Sequence, residues 1–465
     1  MSLPSSMDYT KILPVAAGNP RAMRRTFLPV NGTSFTANGN NIIRIELSAS
    51  QFWDAKHSYL RFKCTFANGA GNDVGLDNGG LHGFIRRLRV EQAGSVLYDC
   101  NRYDKLLAAI LLPTQSNMSV VGDRSIAEGQ RFGTVGTAGD TNTPLAGGAT
   151  TGAIVANQHN DEAQIDNAGD IILCAPLVGS LFSQDKLVPL QLLSSSPLTI
   201  EIELAPPGDI GVTALADMTN YTISDVAYVA SLVDVAPEVD NQIRMIQELA
   251  GGHIVLNCND FTHFNGNIPA GAQGQQAINV PARRKSIKSL LFVGASDTFR
   301  AGGGARRARF NQSFGGNFNM SNYQVKVGSI MHPATPILVN CEPANAPDYN
   351  GRGEALLELM KCFMPVNNVI GAGALSRLNY ALTDCDTGGM ATTGTAPKYS
   401  PFGIDMEAFQ RTAIESGVNT ADRSTPITLL INIGGPNVEA INVDAFVSYD
   451  ALYYIDRSGV ISVSH

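Results

Sequence analysis

Four arginines lie close together in one glycine-rich segment, and they are the strongest candidates for binding chemistry in this chain. A guanidinium group holds a phosphate or carboxylate through two parallel hydrogen bonds, so this cluster could contact an anion or a nucleic acid. A solvated loop, or a loop that pairs with acidic residues of a neighbouring subunit, explains the cluster equally well, since the net charge is -8. The four residues are Arg300, Arg306, Arg307 and Arg309.

A second basic group, Arg21, Arg24 and Arg25, ends the segment 1–26, which has no sustained periodicity. This segment predicts an N-terminal arm. If the arm faces inward, its positive charge would favour contact with an inner membrane or an enclosed genome. Otherwise these arginines are simply solvated.

Motifs for metal or covalent catalysis are missing from the sequence. The seven histidines form neither HxH nor HExxH, and the one local pair, His253 and His263, is ten residues apart without a carboxylate in ligand spacing. Neither a GxSxG elbow nor a GxxxxGK[ST] phosphate loop occurs. We therefore predict a protein that is not an enzyme, with no catalytic, cofactor-binding or metal-binding residues and no small-molecule substrate.

The strand patterns that must position these residues occur twice, about 220 residues apart. A short apolar strand and then a longer alternating strand close each half, at 198–205 and 223–235 in the first and at 427–433 and 441–455 in the second. The sequence therefore predicts two copies of the same β-fold in one chain. A propeller, the competing all-β plan, would need a repeat of about 40 to 50 residues, and only the one long period is present.

Each half also carries one helical segment at a comparable place, 103–112 and 355–363. The predicted fold class is all-β, with two tandem eight-stranded jelly-roll β-sandwiches, one short helix each and long surface loops. The expected boundaries are an N-terminal arm at 1–26, a first jelly roll at 27–236 and a second at 237–465.

Composition agrees with this plan. Charged residues make up 16% of the chain, against about a quarter in typical soluble proteins, and 46 glycines and 23 prolines fit many short strands joined by long loops. The net negative charge argues against a dedicated nucleic-acid binder. The sequence shows neither a membrane-spanning run nor a secretory signal, and its seven cysteines are scattered without a CxxC pair, so we expect folding in a reducing compartment.

Several segments, taken in their order across both halves, resemble the double jelly-roll major capsid proteins of icosahedral DNA viruses, a group that includes adenovirus hexon and the capsid proteins of virophages and polinton-like viruses. These segments are 79–90, continuing to the tyrosine-led 103–106; 188–195 with 197–200; 323–329 with Pro333; 416–420; and 449–450.

This resemblance implies a viral structural protein in which three chains form a pseudo-hexagonal capsomer of an icosahedral shell around a DNA genome. It implies contacts with neighbouring capsomers, penton and minor capsid proteins, and an N-terminal arm directed inward. The expected location is the capsid of the virion, assembled inside the host cell. The chain lacks the large tower insertions of hexon, so any crown on its outer surface should be low.

Two alternatives remain open from the residues. A jelly-roll spike or another carbohydrate- or receptor-binding protein would share the fold, although aromatic residues are only 7% and no loop clusters Trp or Tyr for sugar stacking. A cupin-like enzyme would need histidines close together with a carboxylate, which the sequence does not show. The single tryptophan, Trp53, is expected in a core or an interface.

Overall fold

The computed structural model shows two antiparallel β-sandwiches in tandem, each made of two facing sheets. The structure describes residues 21–67, 74–76, 79–115, 123–129, 164–165, 169–193, 196–212, 220–235, 241, 243–245, 247–248, 251–296, 318, 320–339, 353–364, 366, 375, 380, 400–409, 416–422, 425–435 and 440–465.

The first sandwich contains thirteen of the described strands. They are β1 (Arg21–Phe27), β2 (Ser34–Thr36), β3 (Ile42–Leu47), β4 (Phe52–Ala67), β5 (Val74–Leu76), β6 (Ile85–Gln92), β7 (Ser95–Asn101), β8 (Gln164–Ile165), β9 (Asp170–Ala175), β10 (Val188–Pro189), β11 (Leu198–Leu204), β12 (Gly211–Val212) and β13 (Asn220–Asp234).

The second sandwich contains nine. They are β14 (Ile254–Ile268), β15 (Gly274–Val280), β16 (Ile287–Ser296), β17 (Met320–Val327), β18 (Ile330–Leu338), β19 (Pro401–Asp405), β20 (Ile427–Ile433), β21 (Ile441–Ile455) and β22 (Ile461–Ser464).

Both sandwiches follow one strand order. In the second, β14-β21-β16-β19 form one sheet and β15-β20-β17-β18 the other, which we name sheets 2A and 2B. In the first, β1-β13-β4 with β9 form sheet 1A, and β3-β11-β6-β7 form sheet 1B. Eight strands in this alternating order define a jelly roll, so the predicted fold class is confirmed. Beside these eight positions, β2 and β10 extend sheet 1A, β22 extends sheet 2A, and β5, β8 and β12 form a small third sheet.

A helix follows β7 in the first sandwich and β18 in the second. Helix α1 runs through Tyr103–Lys105, a π-helical stretch at Leu106–Leu111, and Leu112–Gln115. The second sandwich has the helix Gly353–Lys361, close to the predicted 355–363. The first sandwich carries in addition two shorter helices, α2 (Asp123–Glu128) and α3 (Pro207–Ile210), and the helix of the second sandwich is therefore α4.

The predicted N-terminal arm is wrong for its last part, 21–26. Arg21–Phe27 forms β1, an edge strand that pairs in uninterrupted register with Tyr228–Asp234 of β13. All of its residues except Phe27 are exposed, so no alternation of apolar and polar side chains marks it in the sequence. Backbone pairing and the burial of Phe27 hold this strand, and it occupies the first position of the jelly roll.

Aromatic clusters fill both cores. In the first sandwich Trp53 packs edge-on against Phe182 and Tyr228, with ring centroids 5.8 and 6.0 Å away. In the second, Phe292 lies 5.2 Å from Tyr323 and 5.3 Å from Phe402. Such pairs add about 0.5–1.5 kcal/mol each beyond the area that they bury. Trp53 is 1% exposed and its indole N–H donates to Ser58 Oγ at 3.0 Å, which confirms the predicted core role.

Candidate functional site

The sequence-predicted residues do not form one site. Arg300, Arg306, Arg307 and Arg309 lie outside the described residues. Arg21, Arg24 and Arg25 all lie on β1, where Arg24 stacks 5.9 Å from the ring of Tyr59 and Arg25 lies 4.9 Å from the ring of Phe27. Their inward-facing role stays a prediction. What the structure brings together is a different set of side chains, buried between the two sandwiches.

We call this buried contact zone the seam. The first sandwich contributes β7, the turn Ser180–Ser183 after β9, and α1. The second sandwich contributes β14, β16 and the β21–β22 hairpin. One edge of the first sandwich therefore rests on the outer face of sheet 2A.

A hydroxyl and carboxyl cluster lies at the centre of the seam. Tyr453 OH on β21 donates to Asp260 Oδ2 at 2.8 Å, and Ser180 Oγ of the first sandwich lies 2.7 Å from the same hydroxyl. Burial raises the pKa of Asp260 to about 7, although the Tyr453 hydrogen bond and the charge of Arg284 act in the opposite direction. Asp260 is therefore mainly protonated in the folded seam below about pH 7 and mainly ionised above it.

A second cluster is ionic and lies where α1 begins. Burial disfavours the charge of Asp444 on β21, but the His263 ring nitrogen 2.8 Å away and the charges of Lys105 and Arg102 hold its pKa well below the usual range. Arg102 Nε donates to Asp104 Oδ1 at 3.2 Å. Arg102, Asp104, Lys105 and Asp444 are at most 7% exposed. Charges so deeply buried are stable only as mutual partners, and here the partners come from both sandwiches.

Two glutamines of the first sandwich also form hydrogen bonds with the main chain of the second. Gln92 Nε2 donates to Gly459 O at 2.8 Å and to Ser196 O at 2.9 Å, while the Ile461 N–H donates to Gln92 Oε1 at 2.7 Å. Gln184 Nε2 donates to Asn257 O on β14 at 2.9 Å. Each amide thereby fixes a main-chain segment of the second sandwich to the first.

A cleft of about 250 Å³ opens at one end of the seam. Leu111 and Gln115 of α1 line one side, and Lys288, Asp405 and Glu407 line the other. Lys288 Nζ lies 2.8 Å from Asp450 Oδ1 and 3.5 Å from Glu407 Oε1, so the charged side is internally paired. Within the described ranges no group of three His, Cys, Asp or Glu side chains is placed to hold a metal ion.

Five cysteines of the described chain are free thiols. Cys64, Cys100 and Cys258 are buried free thiols, as expected for small core residues, and Cys174 and Cys362 are half-buried. No helix in the described part of the chain is long and apolar enough to cross a membrane. The contacts at the seam join the two sandwiches through buried hydrogen bonds and charges.

Sequence reasoning missed the seam. The only local signal is that three charged residues, Arg102, Asp104 and Lys105, begin the most apolar helix of the chain. On a surface helix such charges are ordinary, and only the burial of all three distinguishes them. Their partners Asp444 and His263 lie in the other half of the sequence.

The fold defined by these sandwiches and their seam is the double jelly roll. The chain matches no model of a known protein family, and no curated protein matches it. Solved structures do match along nearly its whole length. VP54 of PBCV-1, fitted into a reconstruction of the virophage Sputnik, is 9% identical with a TM-score of 0.56, covering 96% of this chain and 97% of that one.

Two viral major capsid proteins match similarly. The Faustovirus protein is 10% identical with a TM-score of 0.55, covering 96% of this chain and 91% of that one. The mavirus protein is 10% identical with a TM-score of 0.53, covering 100% and 95%. The suspected resemblance to double jelly-roll capsid proteins is confirmed at the level of the fold.

Proposed function

We propose that this chain is the major capsid protein of an icosahedral DNA virus and that three copies form a pseudo-hexagonal capsomer. The observation that carries the proposal is the pair of jelly rolls with the same strand order, held side by side by a buried seam. Three such chains in a ring present six similar domains. The match to viral major capsid proteins over both domains supports this interpretation.

The physical requirements of a shell subunit agree with the structure. A shell needs walls that do not deform, and two well-packed cores, a sheet 2A that is buried on both faces and paired buried charges support that role. We propose a structural role, in which the buried polar groups of the seam hold the two sandwiches together.

The other partners are part of the same proposal. A capsomer of this kind contacts neighbouring capsomers, penton and minor capsid proteins within the virion. The segment before β1 would face inward, toward a membrane or the genome. Arg300, Arg306, Arg307 and Arg309 would contact an anion or a neighbouring subunit.

The test is the solution mass of the purified chain by size-exclusion chromatography with light scattering, followed by negative-stain imaging of the main peak. We expect a species with three times the 49.3 kDa mass of the chain and with hexagonal outlines. A species of 49.3 kDa at all concentrations would contradict the capsomer and favour a receptor- or carbohydrate-binding protein built on the same fold.

A further inference from the structure

One lysine of the second sandwich lies beside two buried carboxyl groups. The pairing of β16 with β21 shifts register between Ile287 and Ser289, so Lys288 is the extra residue of a β-bulge. A bulge directs a side chain away from the regular alternation of a strand. The Lys288 side chain extends toward β21, and its Nζ lies 2.8 Å from Asp450 Oδ1.

The second carboxyl group comes from the other side of β16. Glu407 follows β19, and the Met406 N–H beside it donates to Lys288 O at 2.7 Å. Glu407 Oε1 lies 3.5 Å from Lys288 Nζ. The side chains of Asp450 and Glu407 are 2% and 8% exposed, and that of Lys288 is 22% exposed. One amine is therefore held between two carboxyl groups at the border of the cleft.

Hydrogen bonds fix the direction of the Asp450 carboxyl group. Ser286 Oγ donates to Asp450 Oδ2 at 2.9 Å, and the Asp450 N–H donates to Ser286 O at 3.0 Å. Oδ1 is the oxygen that faces Lys288. A donor on Oδ2 also stabilises the negative charge that this oxygen gains when a nucleophile attacks the carboxyl carbon. The arrangement therefore presents the Asp450 carboxyl carbon to the Lys288 amine.

An ion pair of the first sandwich shows the ordinary alternative. Lys63 on β4 and Asp170 on β9 also contact each other, but their side chains are 34% and 45% exposed. Water solvates both of these charges and weakens their interaction. Lys288 and Asp450 lie in a drier place, beside a third group, Glu407, that can move a proton. Fixed proximity and exclusion of water are conditions under which an amine and a carboxyl group can condense.

We propose that Lys288 and Asp450 react within the folded chain to form an amide bond between Nζ and Cγ, with Glu407 as the group that transfers a proton. The bond would covalently join β16 to β21. The proposal concerns the single chain, so it is independent of the proposed capsomer.

The reaction needs no further reagent. One proton passes from the Lys288 ammonium to the Asp450 carboxylate, which gives a neutral amine and a carboxylic acid. Nζ then attacks Cγ, the N–C bond forms, and one C–O bond of the carboxyl group breaks. Glu407 takes the second proton from Nζ and gives it to the departing oxygen, which leaves as water. Glu407 ends in its starting state, and nothing is oxidised or reduced.

The expected benefit is resistance to unfolding. An amide bond between Lys288 and Asp450 would close a loop that holds all the residues between them. Closing a long loop lowers the conformational entropy of the unfolded chain and so favours the folded state. The two joined strands are also adjacent in sheet 2A, so they could not separate under load.

Intact-mass spectrometry of the denatured chain is the first measurement. We expect the wild type to be lighter than its sequence mass by one water molecule. Trypsin then locates the bond, because it should not cut after Lys288. Peptide 286–300 should appear covalently joined to peptide 424–457, which contains Asp450. Trypsin should cut normally after Lys63.

Two variants separate the roles of the groups. Lys288→Arg removes the nucleophile, and Glu407→Gln removes the proton transfer while both reacting groups remain. Each should have its full sequence mass, with a circular dichroism spectrum equal to that of the wild type. Lys285→Arg is the matched control, because Lys285 is an exposed neighbour whose Nζ contacts Ser464 Oγ at 2.9 Å. It should still be one water lighter than its sequence mass.

Four outcomes would overturn parts of the proposal. A wild type of full sequence mass, or a lighter one whose peptide 286–300 is not joined to another, would exclude the bond altogether. Peptide 286–300 joined to 399–411 would assign the bond to Glu407 instead of Asp450. A Glu407→Gln variant that still forms the bond would exclude the proton transfer by Glu407.

Discussion

Two buried aspartates on neighbouring strands of sheet 2A have opposite pKa shifts. Asp444 has a histidine and two cations as partners, and its pKa is low. Asp260 has the Tyr453 hydroxyl and only the more weakly acting Arg284, and its pKa rises to about 7. Burial disfavours the charged form in both, so the difference comes from the partners of Asp444. These are first the hydrogen bond from His263 on β14 and then the charges of Lys105 and Arg102 from the first sandwich.

The ionisation of Asp260 should therefore lower the free energy of unfolding as the pH rises. The folded-state pKa lies above the ordinary value of 3.8, so the folded protein binds this proton more tightly than the unfolded chain. That contribution is complete below pH 3.8 and is lost as the pH rises through about 7. Asp260→Asn should remove the dependence and be more stable relative to wild type at pH 8 than at pH 5, by on the order of 2 kcal/mol.

Urea unfolding followed at both pH values measures this difference. Asp234→Asn is the matched control, because Asp234 is an exposed carboxylate at the end of β13. If Asp260→Asn shows the same pH dependence as wild type, Asp260 is ionised in the folded state across this range.

Among the elements, the turn of the β21–β22 hairpin is held by a buried side chain of the other sandwich, Gln92. Gln92 is 2% exposed and satisfies the Gly459 carbonyl and the Ile461 N–H. Gln92→Ala leaves these groups buried without partners, and each such loss costs about 1–3 kcal/mol. We expect a loss of about 3 kcal/mol in the free energy of unfolding, measured in urea.

Gln92→Glu separates hydrogen bonding from packing. A glutamate has a similar shape and still accepts from Ile461, but it has no N–H group to donate to Gly459 and Ser196. It should therefore also destabilise the protein, whereas Gln275→Ala at an exposed position of β15 should change the free energy of unfolding by less than about 0.5 kcal/mol. A stable Gln92→Glu variant would show that the two carbonyl contacts contribute little.

Strands and helices with a strong pattern were predictable one at a time. Apolar strands such as β20 and β21 occur where the sequence predicts them, and α4 differs from its prediction by two residues at each end. Strand β1 was not predictable, because its arginines hide any alternation and its partner β13 lies at the far end of the first half. Apolar and polar residues alternate in sequence when one face of a strand is buried. An exposed edge strand buries few side chains, so its sequence shows no such alternation.

At the scale of the whole molecule, the seam should make the two sandwiches unfold as one unit. Asp444→Asn removes the carboxylate that compensates buried Lys105 and Arg102. Removing one partner of a buried ionic group typically costs about 3–5 kcal/mol. We expect wild type to show one calorimetric transition and Asp444→Asn to show two, the first at a lower temperature.

Ser448→Ala is the control for this prediction. Ser448 is buried on the same strand and donates to Asn259 Oδ1 at 2.8 Å, a contact that lies within the second sandwich. Its loss should cost about 1 kcal/mol and leave one transition. If Asp444→Asn behaves like Ser448→Ala, the ionic cluster does not couple the sandwiches.

The duplicated plan followed from the sequence, but the seam did not. Gln92 and Gly459 are 367 residues apart, and Tyr453 and Asp260 are 193 apart. A single sequence carries no signal that pairs such positions.

The burial of α1 is completed only after the second half of the chain has been synthesised. Part of its apolar surface packs on β6 and residues 80–84 of its own sandwich, and strands that begin at Ile254 cover the rest. A chain still on the ribosome therefore carries the finished first sandwich with one face of this helix open to solvent. At roughly 5–20 residues per second, the strands up to β21 take roughly 10 to 40 seconds more to appear. During that interval the uncovered face of the helix is available to another nascent chain or to a chaperone. Translation speed through the second half would then influence how much of the chain reaches the folded state.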